Sequence, residues 1–348
     1  MTDLNFDTLV DAIDQQLREQ PFSGVIHVAY QEKAVFSHAY GFANRSDKLP
    51  NQLNTRFGIA SGGKIFTATA ICQLVAAGQL QFKQLLKGFT SGLLPNLNPA
   101  ITIEQLLTHT SGIPDYFDEE TETDYEECWR KTPVNQMRRA LEFLPFIKDK
   151  PMKFTPGERF SYNNMGFVLL GLVIEKITGK RFQDYVEERI FGPAWMRSSG
   201  YYASDRLPEN CALGYIMKED GTWRSNLFSV PIVGHGDGGT FSTAADIGRF
   251  WRALWNKTYF GDEILSKMTS PLVRVKPEDP NHYGYGVWVD ELSGQRCLSI
   301  VGDDPGVEFS SSFYPDSNLQ ITLLANTNGA LWQMEKIIRN DIFGTDQE

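Results

Sequence analysis

The sequence predicts an α/β (α+β) fold in which strands from both ends of the chain pair into one sheet and the middle of the chain is mainly helical. Strand-like runs rich in β-branched and aromatic residues lie near the two ends, whereas apolar residues at helical spacing, separated by Pro and Gly, occupy the middle. The chain has 348 residues and 41% hydrophobic content, which is enough to bury a large core.

The individual elements follow from these patterns. At the N-terminal end they are an amphipathic helix over residues 6–18 and strands over 24–30 and 33–40. The helices predicted in the middle cover 134–143, 165–177, 182–190 and 243–255. The strands predicted at the far end cover 284–289, 297–301, 309–314 and 320–325, before a final helix over 331–342.

No linker or internal repeat indicates independent domains. The sequence therefore predicts a single unit over residues 1–348. Within it, residues 1–82 and 262–348 form the sheet subdomain, and residues 83–261 form the mainly helical one.

The most informative motif is Ser61-x-x-Lys64, at the point where an extended run gives way to an apolar-periodic run over 65–71. If a helix begins at Ser61, residues three apart share a face with Cβ atoms ~5–6 Å apart, so that Lys64 reaches the hydroxyl. A serine needs such a base to act as a nucleophile. Lysine serves as the base only when burial or nearby cations lower its pKa from ~10.4 toward ~7–8. The alternative is a serine N-cap followed by a surface lysine.

Three further segments follow this motif in order: ITIEQLLTHTSGIP at 101–114, PGERFSYNNMGF at 156–167 and GGTFSTAAD at 238–246. Together with Ser61-x-x-Lys64 they resemble the serine β-lactamase and D-alanyl-D-alanine peptidase superfamily, in particular its class C-like and esterase-like branch. The resemblance implies a β-lactamase/transpeptidase-like fold, in which helices flank an antiparallel sheet and the active site lies between the sheet and the helical subdomain. The chain has no Gly-x-Ser-x-Gly elbow, which argues against an α/β-hydrolase.

Tyr162 and Asn164 form the second motif of the resemblance. An adjacent ammonium favours the phenolate, so we expect Tyr162 to ionise at a pKa below its usual ~10 and to share the base role with Lys64. The resemblance assigns Asn164 to holding Lys64 and the substrate carbonyl, and places Asn163 at the usual serine position. The alternative interpretation is a buried tyrosine and a helix cap.

The third motif departs from the family pattern. Relatives carry Lys-Thr-Gly or His-x-Gly there, but residues 301–308 contain neither lysine nor histidine. If Gly302 takes the cationic place, the oxyanion donor becomes Pro305, which has no N–H. If Asp303 takes it, the donor becomes Gly306, and this register is preferred.

The preferred register places Asp303, Asp304 and Gly306 among the substrate-binding residues. Carboxylates where relatives have a cation weaken the binding of a substrate carboxylate. A neutral or cationic substrate is therefore expected.

The histidines and the acidic run give weaker signals. The five histidines form no metal-ligand cluster, so no metal is expected, and His235 is predicted as a polar substrate contact. Acyl transfer through a serine with water as the second substrate requires no organic cofactor. The acidic run over 115–127 either selects an amine or forms a solvated loop, and the solvated loop is favoured.

Composition restricts the partners. A net charge of −10 and a pI near 5.1 argue against nucleic acid and anionic membrane. No stretch approaches the ~18 apolar residues of a membrane span, the N-terminus has no signal-peptide pattern, and the scattered cysteines fit reduced thiols. We therefore expect a cytoplasmic location unless a leader has been removed.

These features predict a serine hydrolase that forms an acyl-enzyme on Ser61, with Lys64 and Tyr162 as bases, and that acts on a small ester, amide or D-amino-acid peptide. The altered third motif favours an esterase or peptidase over a proficient β-lactamase. The alternative is a catalytically impaired penicillin-binding-like protein that acts as a binding or scaffold module. The natural substrate and the oligomeric state stay open.

Overall fold

The computed structural model describes residues 4–90, 92–278, 280–292 and 294–344. The α-helices in these residues are α1 (Leu9–Glu19), α2 (Lys64–Ala76), α3 (Lys87–Thr90), α4 (Ile103–Leu107), α5 (Asn164–Thr178), α6 (Phe182–Val186), α7 (Ala244–Trp255), α8 (Asp262–Met268) and α9 (Leu331–Phe343). Short 3-10 turns cover Ala60–Gly63, Tyr125–Trp129, Val134–Gln136 and Ala140–Phe146, and a π-helical turn at Glu187–Phe191 extends α6. None of these helices is long and apolar enough to cross a bilayer.

The strands of the main sheet are β1 (Gly24–Tyr30), β2 (Lys33–Tyr40), β9 (Val273–Arg274), β10 (His282–Tyr283), β11 (Trp288–Leu292), β12 (Gln295–Asp304), β13 (Val307–Tyr314) and β14 (Leu319–Ala325). The shorter strands outside it are β3 (Phe42–Asn44), β4 (Leu49–Pro50), β5 (Phe57–Gly58), β6 (Tyr215–Met217), β7 (Trp223–Ser225) and β8 (Phe241–Ser242).

The main sheet joins the two ends of the chain. Its strand order is β2-β1-β14-β13-β12-β11-β10-β9, and every neighbouring pair is antiparallel. The predicted fold class, an antiparallel sheet flanked by helices, is therefore confirmed.

Helices cover both faces of the central strands, so every residue of β13 and β14 is buried. One face packs against α1 and α9 through residues such as Ile13, Leu323 and Ile338. On the other face α7 lies against β1 and β14, and the indole of Trp251 donates a hydrogen bond to Ser311 Oγ at 3.0 Å. Helix α7 thus packs on the sheet although it lies within residues 83–261; the proposed division into subdomains stays a prediction.

The predicted helix over 134–143 is wrong. The chain forms two separate 3-10 turns there, Val134–Gln136 and Ala140–Phe146. The carboxylate of Glu142 accepts hydrogen bonds from the backbone N–H groups of Arg138 (2.5 Å) and Arg139 (2.8 Å), and Pro145 has no N–H to donate. A continuous helical ladder therefore cannot form.

The predicted strand over 284–289 is mostly wrong as well. The N–H of Gly284 donates to the carbonyl of Val287 at 2.8 Å, and Gly286 adopts a left-handed φ of 69°. These residues form a tight turn between β10 and β11, so the strand begins only at Trp288. The first helix also starts later than expected, at Leu9 instead of residue 6.

Candidate active site

Ser61 lies in the 3-10 turn Ala60–Gly63, between β5 and α2. Helix α2 begins at Lys64, and the 3-10 turn before it brings Ser61 and Lys64 together without an α-helix that begins at Ser61. Ala60 has a left-handed φ of 45°, which is costly for a residue with a Cβ and is typical of backbone that presents a functional side chain. A Cβ on Gly62 would lie 2.4 Å from the ring of Phe309, so this turn requires glycine there.

Lys64 is 2% exposed, and its amine contacts three oxygens. Its Nζ lies 2.8 Å from Ser61 Oγ, 2.7 Å from Asn164 Oδ1 and 2.7 Å from the backbone carbonyl of Asp237. The two carbonyl oxygens only accept hydrogen bonds, whereas a hydroxyl also donates. A neutral amine, with two N–H groups and one lone pair, therefore satisfies all three neighbours.

Burial favours that neutral form. Desolvation lowers the pKa of Lys64, and nearby carboxylates, Asp237 and Glu119 foremost, oppose the shift. A lysine that acts as a general base needs such a lowered pKa, because only the neutral amine can accept a proton.

Tyr162 faces the same amine, with Lys64 Nζ 4.8 Å from the centre of its ring. The expected phenolate is not supported. Burial, followed by the charge of Glu119, raises the pKa of Tyr162 well above 10, and interaction with the Ser61 side chain opposes this only in part. Because Lys64 also tends to be neutral, Tyr162 lacks the cation that would stabilise a phenolate, and it is a neutral O–H group beside Ser61.

The start of α5 fixes the position of Asn164. Asn163 caps the helix by accepting the N–H of Gly166 at 2.7 Å. The carboxylate of Asp115 accepts the N–H groups of Asn164 (2.5 Å) and Met165 (2.9 Å). Burial raises the pKa of the Asp115 carboxyl to about 7, and the hydrogen bonds from these N–H groups oppose that shift.

Asp115 was missed as a functional residue because it opens the acidic run that was predicted to be a solvated loop. Asp115 and Tyr116 are instead buried, at 2% and 4% exposed. The buried His109 supports the same junction, because its Nδ1 accepts the N–H of Asn163 at 3.0 Å. One feature of the sequence could have indicated this burial: the acidic run over 115–127 follows directly after the apolar Ile113-Pro114.

The third motif takes neither predicted register. A Cβ on Gly302 would lie 2.9 Å from the backbone nitrogens of Ser61 and Gly62, so β12 presses its backbone against the nucleophile turn at this residue. The N–H of Gly306 donates to Asn328 Oδ1 at 2.5 Å and is not free to act as an oxyanion donor. The preference for Gly306 is therefore corrected.

The two aspartates between these glycines have different surroundings. Asp303 is exposed, and its carboxylate accepts a hydrogen bond from Asn328 Nδ2 at 2.9 Å. Asp304 is half-buried, and desolvation raises the pKa of its carboxyl to about 8.

A cavity of about 640 Å³, here called the Ser61 cavity, opens beside the nucleophile. It is lined by the predicted residues Ser61, Asn164, Asp303, Asp304 and His235. Its acidic lining residues are Glu119, Asp124, Glu126, Asp237, Asp303 and Asp304. Arg224 is the one lysine or arginine among the described residues of the lining.

His235 lies at the inner wall of the Ser61 cavity and is 2% exposed. Burial lowers its pKa to about 4, so it is neutral at physiological pH. Gln183 Nε2 lies 3.2 Å from its Nδ1, and the ring packs edge-on against Phe143. Within the part of the chain that the structure describes, no group of three or more His, Cys, Asp or Glu side chains forms a metal site.

A Ser-x-x-Lys turn that faces a Tyr-x-Asn segment, beside an antiparallel sheet, defines the serine acyl-transfer hydrolases of the β-lactamase and penicillin-binding protein type. The Beta-lactamase family model matches residues 9–342, and the chain belongs to this family.

Known relatives agree with this assignment. The structure is similar to the crystal structure of a penicillin-binding protein from Bacillus halodurans, at 45% identity and a TM-score of 0.87 over 93% of this chain and 98% of that one. The sequence is 30% identical to an esterase from Burkholderia gladioli over 92% of this chain and 90% of the esterase. It is 27% identical to a D-aminopeptidase from Cereibacter sphaeroides over 91% of this chain and 60% of that protein. The protein is therefore a serine hydrolase of the β-lactamase family.

Proposed function

We propose that the protein hydrolyses small esters and amides through an acyl-enzyme on Ser61. The observation that carries the proposal is the set of three contacts of Lys64 Nζ, at 2.7–2.8 Å from Ser61 Oγ, Asn164 Oδ1 and the Asp237 carbonyl. Asn164 and Asp237 occupy both N–H groups of the neutral amine, which directs its lone pair at the serine hydroxyl. Lys64 then accepts the hydroxyl proton as Ser61 Oγ attacks the substrate carbonyl.

The alternation of hydrogen bonds along β12 supports two backbone N–H groups as the donors to the oxyanion. Asp304 and Val307 close a two-residue turn between β12 and β13, and hydrogen-bonding pairs alternate along an antiparallel ladder. The N–H of Asp303 therefore points away from β13, and the residue before it, Gly302, lies against the backbone of Ser61. We assign the oxyanion hole to the N–H groups of Ser61 and Asp303.

Tyr162 completes the proton path as a neutral phenol. After the attack, Lys64 holds the proton taken from Ser61, and Tyr162 lies beside both side chains. The proton passes from Lys64 to the leaving group, with the Tyr162 hydroxyl as the relay. In the second half of the reaction water attacks the acyl carbonyl and gives its proton to Lys64 by the same path. Lys64 then returns a proton to Ser61 Oγ as the ester bond breaks, which releases the acid and restores the free serine and the neutral amine.

The charge of the Ser61 cavity favours esters and amides without a free carboxylate. Arg224, the one arginine of the described lining, is already paired with Glu126 at 2.5 Å. A penicillin carboxylate would therefore face carboxylates and no unpaired cation. The names of the esterase and D-aminopeptidase relatives support the same two bond types.

The test is intact-mass analysis of the wild type and of Ser61→Ala after incubation with p-nitrophenyl acetate and, separately, with benzylpenicillin. We expect a serine-dependent acetyl adduct that decays with release of product, and slower acylation by benzylpenicillin. Absence of any adduct with either reagent in folded wild type would overturn the hydrolase proposal and favour a binding or scaffold role.

A further inference from the structure

We propose that the Ser61 cavity selects substrates that carry a free ammonium group, and that the carboxylate of Asp304 receives it. This inference rests on the proposed hydrolase function and names the substrate class of that same site. It follows from the place of Asp304 on β12, from its lack of a partner and from the charges around it.

The strand geometry directs Asp304 toward the nucleophile. Side chains two apart on a strand point to the same face, and β12 pairs with β13 without a bulge through Asp304. The face of Gly302 lies against the backbone of Ser61. The side chain of Asp304 therefore leaves the strand on the Ser61 side, about 7 Å further along the strand, where it lines the Ser61 cavity.

The other acidic side chains of the cavity have partners. Asp303 accepts a hydrogen bond from Asn328 at 2.9 Å, and Asp237 accepts one from Tyr116 Oη at 2.6 Å. The side chain of Glu126 pairs with Arg224, and that of Glu119 lies 3.4 Å from Asn164 Nδ2. Asp124 accepts the N–H of Glu126 at 3.0 Å.

Asp304 differs from all of these. Within the described part of the chain, no hydrogen bond or ion pair engages its carboxylate. The ionised form of a carboxyl group that is partly withdrawn from water without a partner is unfavourable in the free protein. An ammonium group placed between Asp304 and Ser61 would supply the missing donor and remove that cost.

The charged residues around Asp304 disfavour a negatively charged substrate group at this position. Asp237, Asp303 and Glu119 add negative potential around Asp304 and disfavour its ionised form, and Lys64 opposes them only when it is protonated. A substrate carboxylate in this position would meet only repulsion from these acids, while an ammonium would be attracted by them. The negative charge of the cavity therefore attracts substrates with an ammonium group and also repels substrates with a carboxylate.

The first experiment compares kcat/KM for D-alanine p-nitroanilide, its N-acetyl derivative and its N-succinyl derivative, which carry a positive, neutral and negative group at one position. We expect the free amine to be preferred over the N-acetyl compound about 10- to 100-fold, as for one charge-assisted hydrogen bond, and the N-succinyl compound to be poorest. Asp304→Asn should remove most of this preference, chiefly by lowering kcat/KM for the free amine. Asp316→Asn, the same charge change in the exposed turn between β13 and β14, should keep the preference.

A binding measurement separates this inference from the hydrolase proposal. Ser61→Ala is titrated with D-alanine amide and with N-acetyl-D-alanine amide by calorimetry. Tighter binding of the free amine, lost in Ser61→Ala/Asp304→Asn, supports the inference even if the wild type turns over neither anilide, a result that would count against the hydrolase proposal alone. Equal binding of the two amides, or an amine preference that survives Asp304→Asn, overturns the inference even if the wild type hydrolyses esters.

Discussion

At the scale of single residues, the chemistry of the site depends on the protonation state of Lys64. Its Nζ is in contact with two carbonyl oxygens and one hydroxyl, and burial lowers its pKa. Burial also keeps Tyr162 protonated, because its pKa is raised. The structure thus favours a neutral pair, amine and phenol, over the ion pair expected from the sequence.

This assignment predicts the pH profile of the enzyme. The lone pair of Lys64 is available only above the pKa of the amine, so kcat/KM for a neutral ester should rise with pH and level off. The midpoint should lie below the usual ~10.4 of lysine, because desolvation lowers this pKa. Lys64→Ala should reduce kcat/KM by about 10²- to 10⁴-fold, the usual contribution of a general base.

Tyr162→Phe is the variant that decides between the two bases. If Lys64 is the titrating group, this variant should lose activity but keep the rise with pH at nearly the same midpoint. Stopped assays over a range of pH with p-nitrophenyl acetate provide the measurement. Loss of the rise in Tyr162→Phe would mean that the phenol is the titrating base and that the neutral-pair assignment is wrong.

At the scale of elements, the contact of β12 with the turn Ala60–Gly63 aligns the oxyanion donors. Gly302 allows the two backbones to touch, and Asn328 holds the β12–β13 turn through Gly306 N, Asp303 Oδ1 and the carbonyl of Asp304. A displacement of 1 Å in such a site is enough to reduce the rate strongly. The strand edge therefore acts as a rigid support for the proposed oxyanion hole.

The substitution Gly302→Ala, which adds one methyl group, tests the contact between β12 and the turn Ala60–Gly63. In Gly302→Ala the new Cβ would lie 2.2 Å from the carbonyl oxygen of Ile59 and 2.9 Å from Ser61 N, so the strand and the turn must separate. We expect kcat to fall about 100-fold or more, as when one oxyanion donor is lost, with a smaller change in KM. Gly88→Ala, where a Cβ meets nothing within 4 Å, is the control and should retain full activity.

The outcome of Gly302→Ala is informative even if this variant is unstable. Asn328→Ala leaves the Gly302 contact intact and removes only the hydrogen bonds to the turn, so its kcat should fall by a smaller factor while the fold persists. Wild-type kcat in folded Gly302→Ala, measured with p-nitrophenyl acetate, would contradict the assignment of the Asp303 N–H to the oxyanion hole.

The sequence predicted local elements better than long-range contacts. Both bounds of β1 and β2 were predicted correctly, and α5 and α9 were predicted to within one residue at each end, because apolar periodicity is a local signal. Ser61, Lys64 and Asn164 are brought together as their motifs indicate. The register of the third motif was missed, because it depends on which residue of β12 packs against a turn some 240 positions earlier, information that the local pattern 301–308 does not contain.

At the scale of the whole molecule, the sheet and the helical middle of the chain enclose a cavity lined by acidic side chains. The mutual repulsion and partial burial of these side chains lower the free energy of unfolding. The carboxyl of Asp304 is partly withdrawn from water there, and desolvation raises its pKa to about 8. Functional sites commonly keep such unfavourable groups because the rest of the fold supplies the stability. The large core on both faces of the sheet is the source of that stability here.

Asp304 should therefore destabilise the free protein in a pH-dependent way. Its carboxyl binds a proton more tightly in the folded chain, at a pKa of about 8, than in the unfolded chain, at ~3.9. Between these values the folded state holds more protons, so the contribution of this group to the free energy of unfolding falls as pH rises. Asp304→Asn removes the titration and should match the wild type near pH 4 and be more stable near pH 8.

Thermal melting of wild type, Asp304→Asn and Asp316→Asn across this pH range measures the effect. We expect Asp304→Asn to raise Tm at pH 8 by roughly 1–3 °C, which corresponds to about 1 kcal/mol after solvent screening, and Asp316→Asn to follow the wild type. D-alanine amide at saturating concentration should raise the Tm of the wild type and not that of Asp304→Asn, because binding to the folded state alone stabilises it. A lower Tm of Asp304→Asn at pH 8 would mean that Asp304 is a stabilising structural carboxylate, and the cost assigned to its unpaired charge would then be wrong.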